Sequence, residues 1–271
     1  MLQSNKAKVM QMNPIEQFAQ ERQARLESYS TDDSFSTLSR KWLQASMARQ
    51  YVYNFDWLGR PIIQYPQDIV AMQDLVWRVR PDLIIETGIA HGGSLVLSAS
   101  LLAMLDMCDA IEIGTTIDPR QSKRKVLGID VDIRSHNRNH IEAHPMASRI
   151  SMIEGSSIDI GVIKKVHDFA RKYQRILVCL DSMHTHEHVL AELEAYTPLV
   201  SLGSYCIVFD TFVEDMPSGF FSNRPWNVGN NPKTAVSKWI KNNPNFKVDS
   251  TIAQRLQITV APDGFLYRCG K

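Results

Sequence analysis

PDLIIETGIAHGGS, residues 81–94, carries the strongest structural pattern of this chain. A short apolar run ends at the acid Glu86, passes through a glycine-rich turn and continues into the apolar sequence LVLSASLLAML. This succession predicts a buried strand, a tight turn and a helix. Glycines let a ligand approach the backbone, and the start of the helix directs free N–H groups and its positive dipole end toward that ligand. The stretch therefore predicts a nucleotide-type site.

The spacing of the glycines narrows the choice of ligand. From Gly88 the turn reads G-x-x-x-G-G, which is neither the dinucleotide fingerprint G-x-G-x-x-G nor the P-loop G-x-x-x-x-G-K-[ST]. Glu86 would repel a phosphate but suits an ammonium or sulfonium group, and S-adenosylmethionine carries both. A nicotinamide dehydrogenase is disfavoured, while a plain tight turn without a ligand is the alternative interpretation.

Outward from this stretch, strand-like and helical patterns alternate. Further strands are predicted at 126–131, 149–153, 175–181 and 204–209, and helices at 156–173, 184–196 and 234–241. Residues 255–260, the turn APDG and the run FLYRC predict a closing hairpin. The expected fold is α/β: a doubly wound, mostly parallel, seven-stranded Rossmann-like sheet with a C-terminal antiparallel hairpin.

The part of the chain before the first strand has a different pattern. Residues 14–28 predict a weakly packed helix or an oligomer contact, and 41–53 a second helix. A third helix is expected from Asp68, its predicted N-cap. Residues 1–53 are therefore interpreted as an N-terminal helical extension or cap, and 54–271 as the catalytic domain.

Composition limits the classes of partner. The 271 residues include 30 basic and 29 acidic side chains, so a net charge of +1 gives no reason to expect nucleic acid or an anionic membrane. Small-molecule or glycan substrates fit better. Four cysteines without C-x-x-C spacing, no signal-peptide core and no uninterrupted apolar run of about 18 residues predict a soluble cytoplasmic protein without membrane insertion.

Acids are expected at the carboxyl ends of the strands, where open α/β sheets bind ligands. They are Glu86, Asp130, Asp132, Asp181 and Asp210. An acid after the second strand can accept hydrogen bonds from both ribose hydroxyls, which indicates Asp130. Asp132 is the alternative because it shares a face with Asp130, and a solvated or capping acid is another. The turn at Gly155–Ser156 would lie beside the adenine or simply cap a helix.

Asp181 and Asp210 end neighbouring strands of the predicted sheet. Two converging carboxylates repel each other unless one is protonated or a cation lies between them. Mg²⁺ with several waters is the economical solution. His184 could then take the proton from a sugar or phenol hydroxyl that the metal has acidified. A helix N-terminal histidine without chemistry is the alternative.

The run HTHEH, residues 184–188, allows a rival metal site. His184 and His188 share a helical face, and Glu192 could be a third zinc ligand or an exposed charge. With Asp181, the same histidines are also the nearest approach to the triad of an iron oxygenase. His91 is interpreted as a polar residue that lines the glycine turn.

Five motifs occur in order: IIETGIAHGGS, GIDVDIR, EGSSID, LDSMHTHEHVLAELEAYTPLVSLGSYCIVFDT and NNPKTAV. Together they resemble the cephalosporin hydroxylase and rhamnosyl O-methyltransferase family, from about Asn54 to Arg268. The resemblance implies a class I methyltransferase fold, S-adenosylmethionine, usually Mg²⁺, an oligomer, and a role in cell-surface glycan or antibiotic biosynthesis. The implied reaction is methyl transfer to a hydroxyl of a sugar, glycan or natural product. The alternatives are a cephalosporin-type hydroxylation and methylation component and a non-catalytic cofactor-binding homologue.

The resemblance also implies roles by position. The methionine part of the cofactor is assigned to Glu86, Gly88, Gly92 and Ser94, the ribose to Asp130 and the adenine side to Ser156. Asp181 is implied as a further cofactor-binding residue and as a catalytic residue. Asp181 and Asp210 are the implied metal ligands, and His184 is the implied general base. The family often has two acids in tandem after the fifth strand, whereas this chain has Phe209-Asp210-Thr211. Thr211 or water is therefore expected to fill the missing position, and weak metal affinity is the alternative.

Overall fold

The computed structural model describes residues 13–270, so residues 1–12 of the expected extension lie outside the described part. The strands are β1 (Phe55–Trp57), β2 (Arg60–Ile62), β3 (Leu83–Thr87), β4 (Lys125–Asp130), β5 (Ile150–Glu154), β6 (Ile176–Leu180), β7 (Tyr205–Val208), β8 (Phe246–Val248) and β9 (Phe265–Arg268). The helices are α1 (Pro14–Tyr29), α2 (Asp33–Met47), α3 (Pro66–Val79), α4 (Gly93–Ile113), α5 (Ser135–Glu142), α6 (Ile160–Ala170), α7 (His186–Tyr196), α8 (Pro232–Trp239) and α9 (Ser250–Leu256).

Seven of these strands form one sheet in the order β5-β4-β3-β6-β7-β9-β8. From β5 to β7 all neighbours are parallel, and β9 runs antiparallel to both of its neighbours. The expected doubly wound, mostly parallel sheet with an antiparallel pair at its C-terminal edge is confirmed. The strand order reverses direction around β3 and β6, which places a ligand crevice at their carboxyl ends.

Helices cover both faces of the sheet, so its central strands β3 and β6 are buried along their whole length rather than alternating between buried and exposed residues. In β3, Ile84 faces the core beneath α3 and α4. Its neighbours Leu83 and Ile85 face the opposite core, beneath α6, α7 and α8. A third cluster joins Leu43 of α2 and Val52 to residues beyond β7. The helix α2 therefore packs directly on the part of the fold that carries the candidate site.

Two predictions at the ends of elements are wrong, and one contact explains both. Residues 255–260 are not a strand, because α9 extends to Leu256 and the edge strand is β8. Asp68 does not cap α3, which begins at Pro66. Instead, the Asp68 carboxylate accepts hydrogen bonds from the Thr259 hydroxyl and the Val260 N–H. This contact holds the end of the predicted strand, Thr259 and Val260, as a buried loop against α3.

Other boundaries also moved. The helix α4 is 21 residues long and extends to Ile113, beyond the apolar run LVLSASLLAML that predicted it. The cap of α6 is Asp159, whose carboxylate accepts hydrogen bonds from the N–H groups of Gly161 and Val162, rather than Ser156. The second helix runs from Asp33 to Met47 instead of 41–53. α7 begins at His186, so His184 lies in the loop before it.

Among the described helices, α4 alone has the length and apolar composition of a membrane span. About half of this apolar stretch is buried inside the fold. The α4 residues Leu95, Val96 and Leu102 are fully buried where the helix packs against the rest of the core. Packing as the central helix of the sheet accounts for its composition.

Candidate active site

A cavity of about 440 Å³ opens at the carboxyl ends of β3, β6 and β7. The glycine turn after β3 contributes residues from Gly88 to Ser94, and the loop after β6 contributes Asp181, Ser182 and His184. Asp210 and the segment 220–226 complete one part of the wall. Residues of α2 and β2 close another part, so the N-terminal segment shares the cavity with the sheet.

Glycines in the turn are required by close packing. Gly88 has φ +89°, and a Cβ there would lie 2.0 Å from the backbone oxygen of Asp181. Gly92 has φ +83°, and its Cβ would lie 2.4 Å from the Ile141 side chain. Any larger residue would be strained in conformation and would displace a neighbour. The turn thereby lets the ends of β3 and β6 approach each other and starts α4 at the cavity wall.

Glu86 lies one layer beneath the main cavity. It is 4% exposed, and the hydroxyl of Ser94 donates to its carboxylate. Burial raises the pKa of Glu86 to about 7, against the lowering effect of that hydrogen bond. Glu86 lines a separate cavity of about 20 Å³, which it shares with Ser94 and Asp181. Ser94 and Asp181 also line the main cavity, so they connect the two.

Asp130 is turned toward the glycine turn. Its Oδ2 atom accepts from the N–H groups of Ile89 at 2.7 Å and Ala90 at 3.3 Å. Asp132 is exposed and lies 3.8 Å from Arg134. Ser156 follows β5, where the neighbouring Gly155 N–H donates to the backbone oxygen of Asp130. Asp130, not Asp132, therefore joins the glycine turn to the turn after β5, although neither Asp130 nor Ser156 lines the main cavity.

Asp181, His184 and Asp210 form the most concentrated chemical group of the cavity. One ligand atom from each lies within 4.8 Å of the others, and His184 Nε2 is 3.0 Å from Asp210 Oδ2. Burial, and then the charge of Asp210, raise the pKa of Asp181 well above its ordinary value. Two carboxylate oxygens and one imidazole nitrogen are donors that suit a divalent cation, which would also relieve this repulsion.

Thr211 is directed elsewhere. It is fully buried, and its hydroxyl donates to the backbone oxygen of Pro262 at 2.5 Å. It is not among the residues that line the cavity. The Asp210 backbone adopts φ +56°, a left-handed conformation that brings its own carboxylate toward His184. Asp210 therefore joins the group without a second polar side chain from its neighbour.

The rival pairing of His184 with His188 does not form. His188 Nε2 lies 3.0 Å from the Ser157 hydroxyl and 3.1 Å from the Ser182 hydroxyl. The Ser182 hydroxyl also donates to Glu192, which is fully buried. His188 and Glu192 therefore belong to a polar network behind the cavity, apart from the described group that could hold a metal. His91 does line the cavity, as expected.

Two features of the site have no motif in the sequence. Trp226 packs edge-on against the His184 imidazole, with ring centroids 4.7 Å apart and planes at 86°. Gln64, just before α3, donates to Asp181 Oδ2 at 3.4 Å. Both residues come from segments without regular periodicity, so only the folded chain brings them to the site. For Trp226, the mixture of aromatic residues, Pro and Gly in residues 215–232 is a local pattern that could have indicated a wall of the site.

The fold and the site together define a class I, S-adenosylmethionine-dependent methyltransferase. The sheet order, a glycine turn after its central strand and acids after β4, β6 and β7 distinguish that class. Residues 49–269 match the model of the Rhamnosyl O-methyltransferase/CmcI family, and the chain belongs to that family. The prediction of an S-adenosylmethionine-dependent O-methyltransferase is thereby confirmed.

Similar proteins cover most of the chain. A rhamnosyl O-methyltransferase from Mycobacterium tuberculosis is 29% identical over 208 residues, covering 74% of this chain and 73% of that protein. The rhamnosyl O-methyltransferase from Mycobacterium leprae is 25% identical over 245 residues, covering 89% and 93%. An apo structure of CmcI matches with a TM-score of 0.53 at 17% identity, covering 81% of this chain and 78% of that one. A CmcI structure with Mg and SAM gives 0.52 at 18% identity, covering 80% and 77%. The structural likeness shows the fold.

Proposed function

We propose that the protein transfers the methyl group of S-adenosylmethionine to a hydroxyl of a sugar, glycan or sugar-bearing natural product, with the help of Mg²⁺. One observation carries this proposal: the Asp181, His184 and Asp210 group faces the same cavity as the glycine turn. A methyl donor on the turn and an acceptor hydroxyl beside the group would meet inside one enclosed space. The rhamnosyl O-methyltransferase relatives supply the sugar class.

The cofactor would extend from the loop after β6 along the turn to β4 and β5. In this proposal, Ser94, Asp181 and the backbone near Gly88 and Gly92 hold the methionine part. Glu86 lies beneath the main cavity, so it would contribute indirectly, by accepting the hydrogen bond that the Ser94 hydroxyl donates. Asp130 would accept from the ribose hydroxyls while it fixes the turn, and Ser156 would lie beside the adenine.

The metal would be held by Asp181 and Asp210, whose like charges otherwise repel at this separation. Mg²⁺ supplies Lewis acidity that lowers the pKa of the acceptor hydroxyl and stabilises the developing alkoxide. Thr211 is a poor candidate for a further ligand, because its hydroxyl is bonded to Pro262. Water is the better candidate for that position.

His184 would take the proton of the acceptor hydroxyl. Asp210 orients its imidazole at 3.0 Å, and Trp226 fixes the ring plane. Positioning of this kind lowers the barrier because the acceptor oxygen must attack in line with the departing sulfur. The iron-oxygenase alternative has no support in the geometry, since His188 is held by Ser157 and Ser182.

Calorimetry and turnover test the proposal in sequence. The purified chain is titrated with S-adenosylhomocysteine, and methyl transfer to a panel of rhamnosides and other glycosides is then followed with Mg²⁺ and with a chelator. We expect cofactor binding, chelator-sensitive turnover, and loss of turnover but not of binding in His184→Gln. Absence of cofactor binding would refute the proposal, and turnover that a chelator and His184→Gln leave unchanged would refute the assigned roles.

We also propose that residues 1–53 act as a cap on a catalytic domain of residues 54–271. Met47 and Gln50 line the cavity, which supports a role of this segment in the site. α1 buries none of its residues and exposes Ile15 and Phe18, which supports an oligomer contact. The four cysteines carry free thiols, which supports a cytoplasmic location.

A further inference from the structure

The segment 220–226 lines the cavity with aromatic rings and amide groups, and its geometry is fixed by its neighbours. The next residues form a tight turn in which Asn227 and Asn230 exchange backbone hydrogen bonds. Asn231 is fully buried and donates to Glu214, and the Gly229 N–H donates to the same carboxylate at 2.8 Å. This anchored turn holds the segment in a defined position beside His184.

Three side chains from this wall and the site form a row. The Arg224 guanidinium carbon lies 5.3 Å from the centroid of the Trp226 ring. The same ring packs edge-on against His184, with centroids 4.7 Å apart. The guanidinium therefore lies within about 10 Å of the imidazole, a span that one or two sugar units cover. A group bound by Arg224 would be attached close to the hydroxyl that faces His184.

Arg224 is an exposed residue, and its charge has no partner among residues 13–270. Among the described residues that line the cavity it is the sole lysine or arginine, and no described carboxylate pairs with it. Lys233, farther along the chain, differs because it is paired with Asp215 and Asp263. The guanidinium lies over the Trp226 ring, and no described group accepts a hydrogen bond from its N–H groups, which leaves them available to bind an oxyanion bidentately.

The charge of the loaded site favours an anion as well. Mg²⁺ would neutralise Asp181 and Asp210, and the sulfonium of the methyl donor adds a positive charge nearby. The Arg224 charge is then uncompensated in a cavity that already contains a cation. A carboxylate or phosphate on the acceptor would complement it.

We infer that the acceptor is a sugar that carries an oxyanion, a carboxylate or a phosphate, bound by Arg224 while the sugar ring packs against Trp226. This inference rests on the proposed function and adds the substrate class. Asn223 and Gln50, which line the same cavity, can donate to the remaining sugar hydroxyls. Arg224 would determine acceptor specificity without taking part in the chemistry.

Binding of simple probes tests the inference without turnover. Methyl glucuronide, glucose 6-phosphate and the neutral methyl glucoside are titrated into the full chain in the presence of Mg²⁺ and S-adenosylhomocysteine, and dissociation constants are measured. The wild-type chain should bind at least one anionic probe about tenfold or more tightly than the glucoside. The better of the two anionic probes distinguishes a carboxylate from a phosphate. Arg224→Gln should remove the preference, and Arg224→Lys should restore part of it.

The matched control is Lys238→Gln, which removes the same charge from an exposed position on α8 outside the main cavity. It should keep the wild-type preference. Equal binding of charged and neutral probes by the wild-type chain, no binding of any probe, or a preference that survives in Arg224→Gln would overturn the inference. In these cases the proposed function stands if S-adenosylhomocysteine still binds and a neutral glycoside is methylated. Loss of cofactor binding by the wild-type chain would refute the proposed function itself.

Discussion

The two ends of the parallel strands handle partly buried charge in opposite ways. At the amino ends, Asp106 and Asp109 of α4 are paired with three arginines, Arg80, Arg124 and Arg149. Burial alone would raise the pKa of Asp106, but hydrogen bonds from Ser122, Arg149 and Arg124 lower it below its ordinary value. At this end of the strands, each partly buried carboxylate is therefore paired with arginine.

At the carboxyl ends, carboxylates gather without matching cations. Burial raises the pKa of both Asp68 and Glu86 to about 7. Burial and the charge of Asp210 raise the pKa of Asp181 as well. No described lysine or arginine pairs with these acids. Unmatched buried charge lowers stability, so it indicates a site kept for a ligand, whereas matched charge indicates a structural contact.

Removal of the Asp181 charge should separate activity from stability most strongly. Asp181→Asn keeps the shape of the side chain but replaces one carboxylate oxygen by an NH₂ group, which removes the negative charge that would bind the metal. We expect methyl transfer to fall by about a thousandfold. The unfolding free energy should stay constant or increase, because like-charge repulsion is relieved. Turnover and urea unfolding of the same preparation measure both, and a variant that loses stability and keeps activity would contradict the assignment.

The second largest effect is expected in the pH dependence of stability, because the buried acids without a cationic partner have raised pKa values. Because the pKa of Glu86 is higher in the folded chain than its ordinary value of 4.5, the folded state holds the extra proton between about pH 4.5 and 7. Stability therefore falls as pH rises through this window, and Glu86 accounts for about 3 kcal/mol at most. Urea unfolding of the metal-free protein at pH 5 and pH 8 measures the change.

Glu86→Gln should remove that share of the pH dependence. Glu187, an exposed acid in the first turn of α7, provides the matched control as Glu187→Gln. The control should keep the wild-type slope. An unchanged slope in Glu86→Gln would mean that the buried carboxylate is compensated by a contact that the geometry does not reveal.

The matched cluster should show the opposite behaviour. Asp106→Asn leaves Arg149, whose side chain is 3% exposed, without its charge partner. We expect a loss of about 2 kcal/mol in unfolding free energy and unchanged methyl transfer. Because the pKa of Asp106 is lowered, its contribution is present above the ordinary value and is lost as pH falls through the folded pKa. Asp168→Asn, which breaks a surface pair with Arg171, should change little.

Local patterns were enough to predict the site residues that follow strands. Asp181 and Asp210 each end an apolar run, and the carboxyl ends of parallel strands meet at one edge, so their convergence could be expected. The glycine turn was equally visible, since conformation and spacing are local properties. His184 was indicated by its distance of three residues from Asp181, although the helix begins two residues later than expected.

Contacts between distant segments could not be predicted. Asp68 looked like a helix cap because nothing near it in sequence reveals Thr259 and Val260, about 190 residues away. The pairing of Asp106 with Arg124 and Arg149 depends on how α4 lies across two strands rather than on any periodic spacing. Trp226 reaches His184 through a loop that Asn231 holds by its bond to Glu214, and the helix-capping pattern of Asn231 does not reveal that contact.

The smallest expected effect in the comparison of the two strand ends belongs to Gln64. Its amide donates to Asp181 at 3.4 Å, while its Oε1 atom is buried without a described partner. A polar group half-satisfied in this way contributes little to stability, so Gln64→Leu should leave the unfolding free energy nearly constant. The Asp181 carboxylate would lose a donor, and turnover should fall about fivefold, which corresponds to about 1 kcal/mol. Rescue by Gln64→Asn would fail because the shorter side chain cannot reach. A Gln64→Leu variant that loses stability but keeps turnover would contradict this assignment. Gln64 would then be a structural contact, like the ion pairs at the amino ends of the strands, although it lies beside the metal-binding carboxylates.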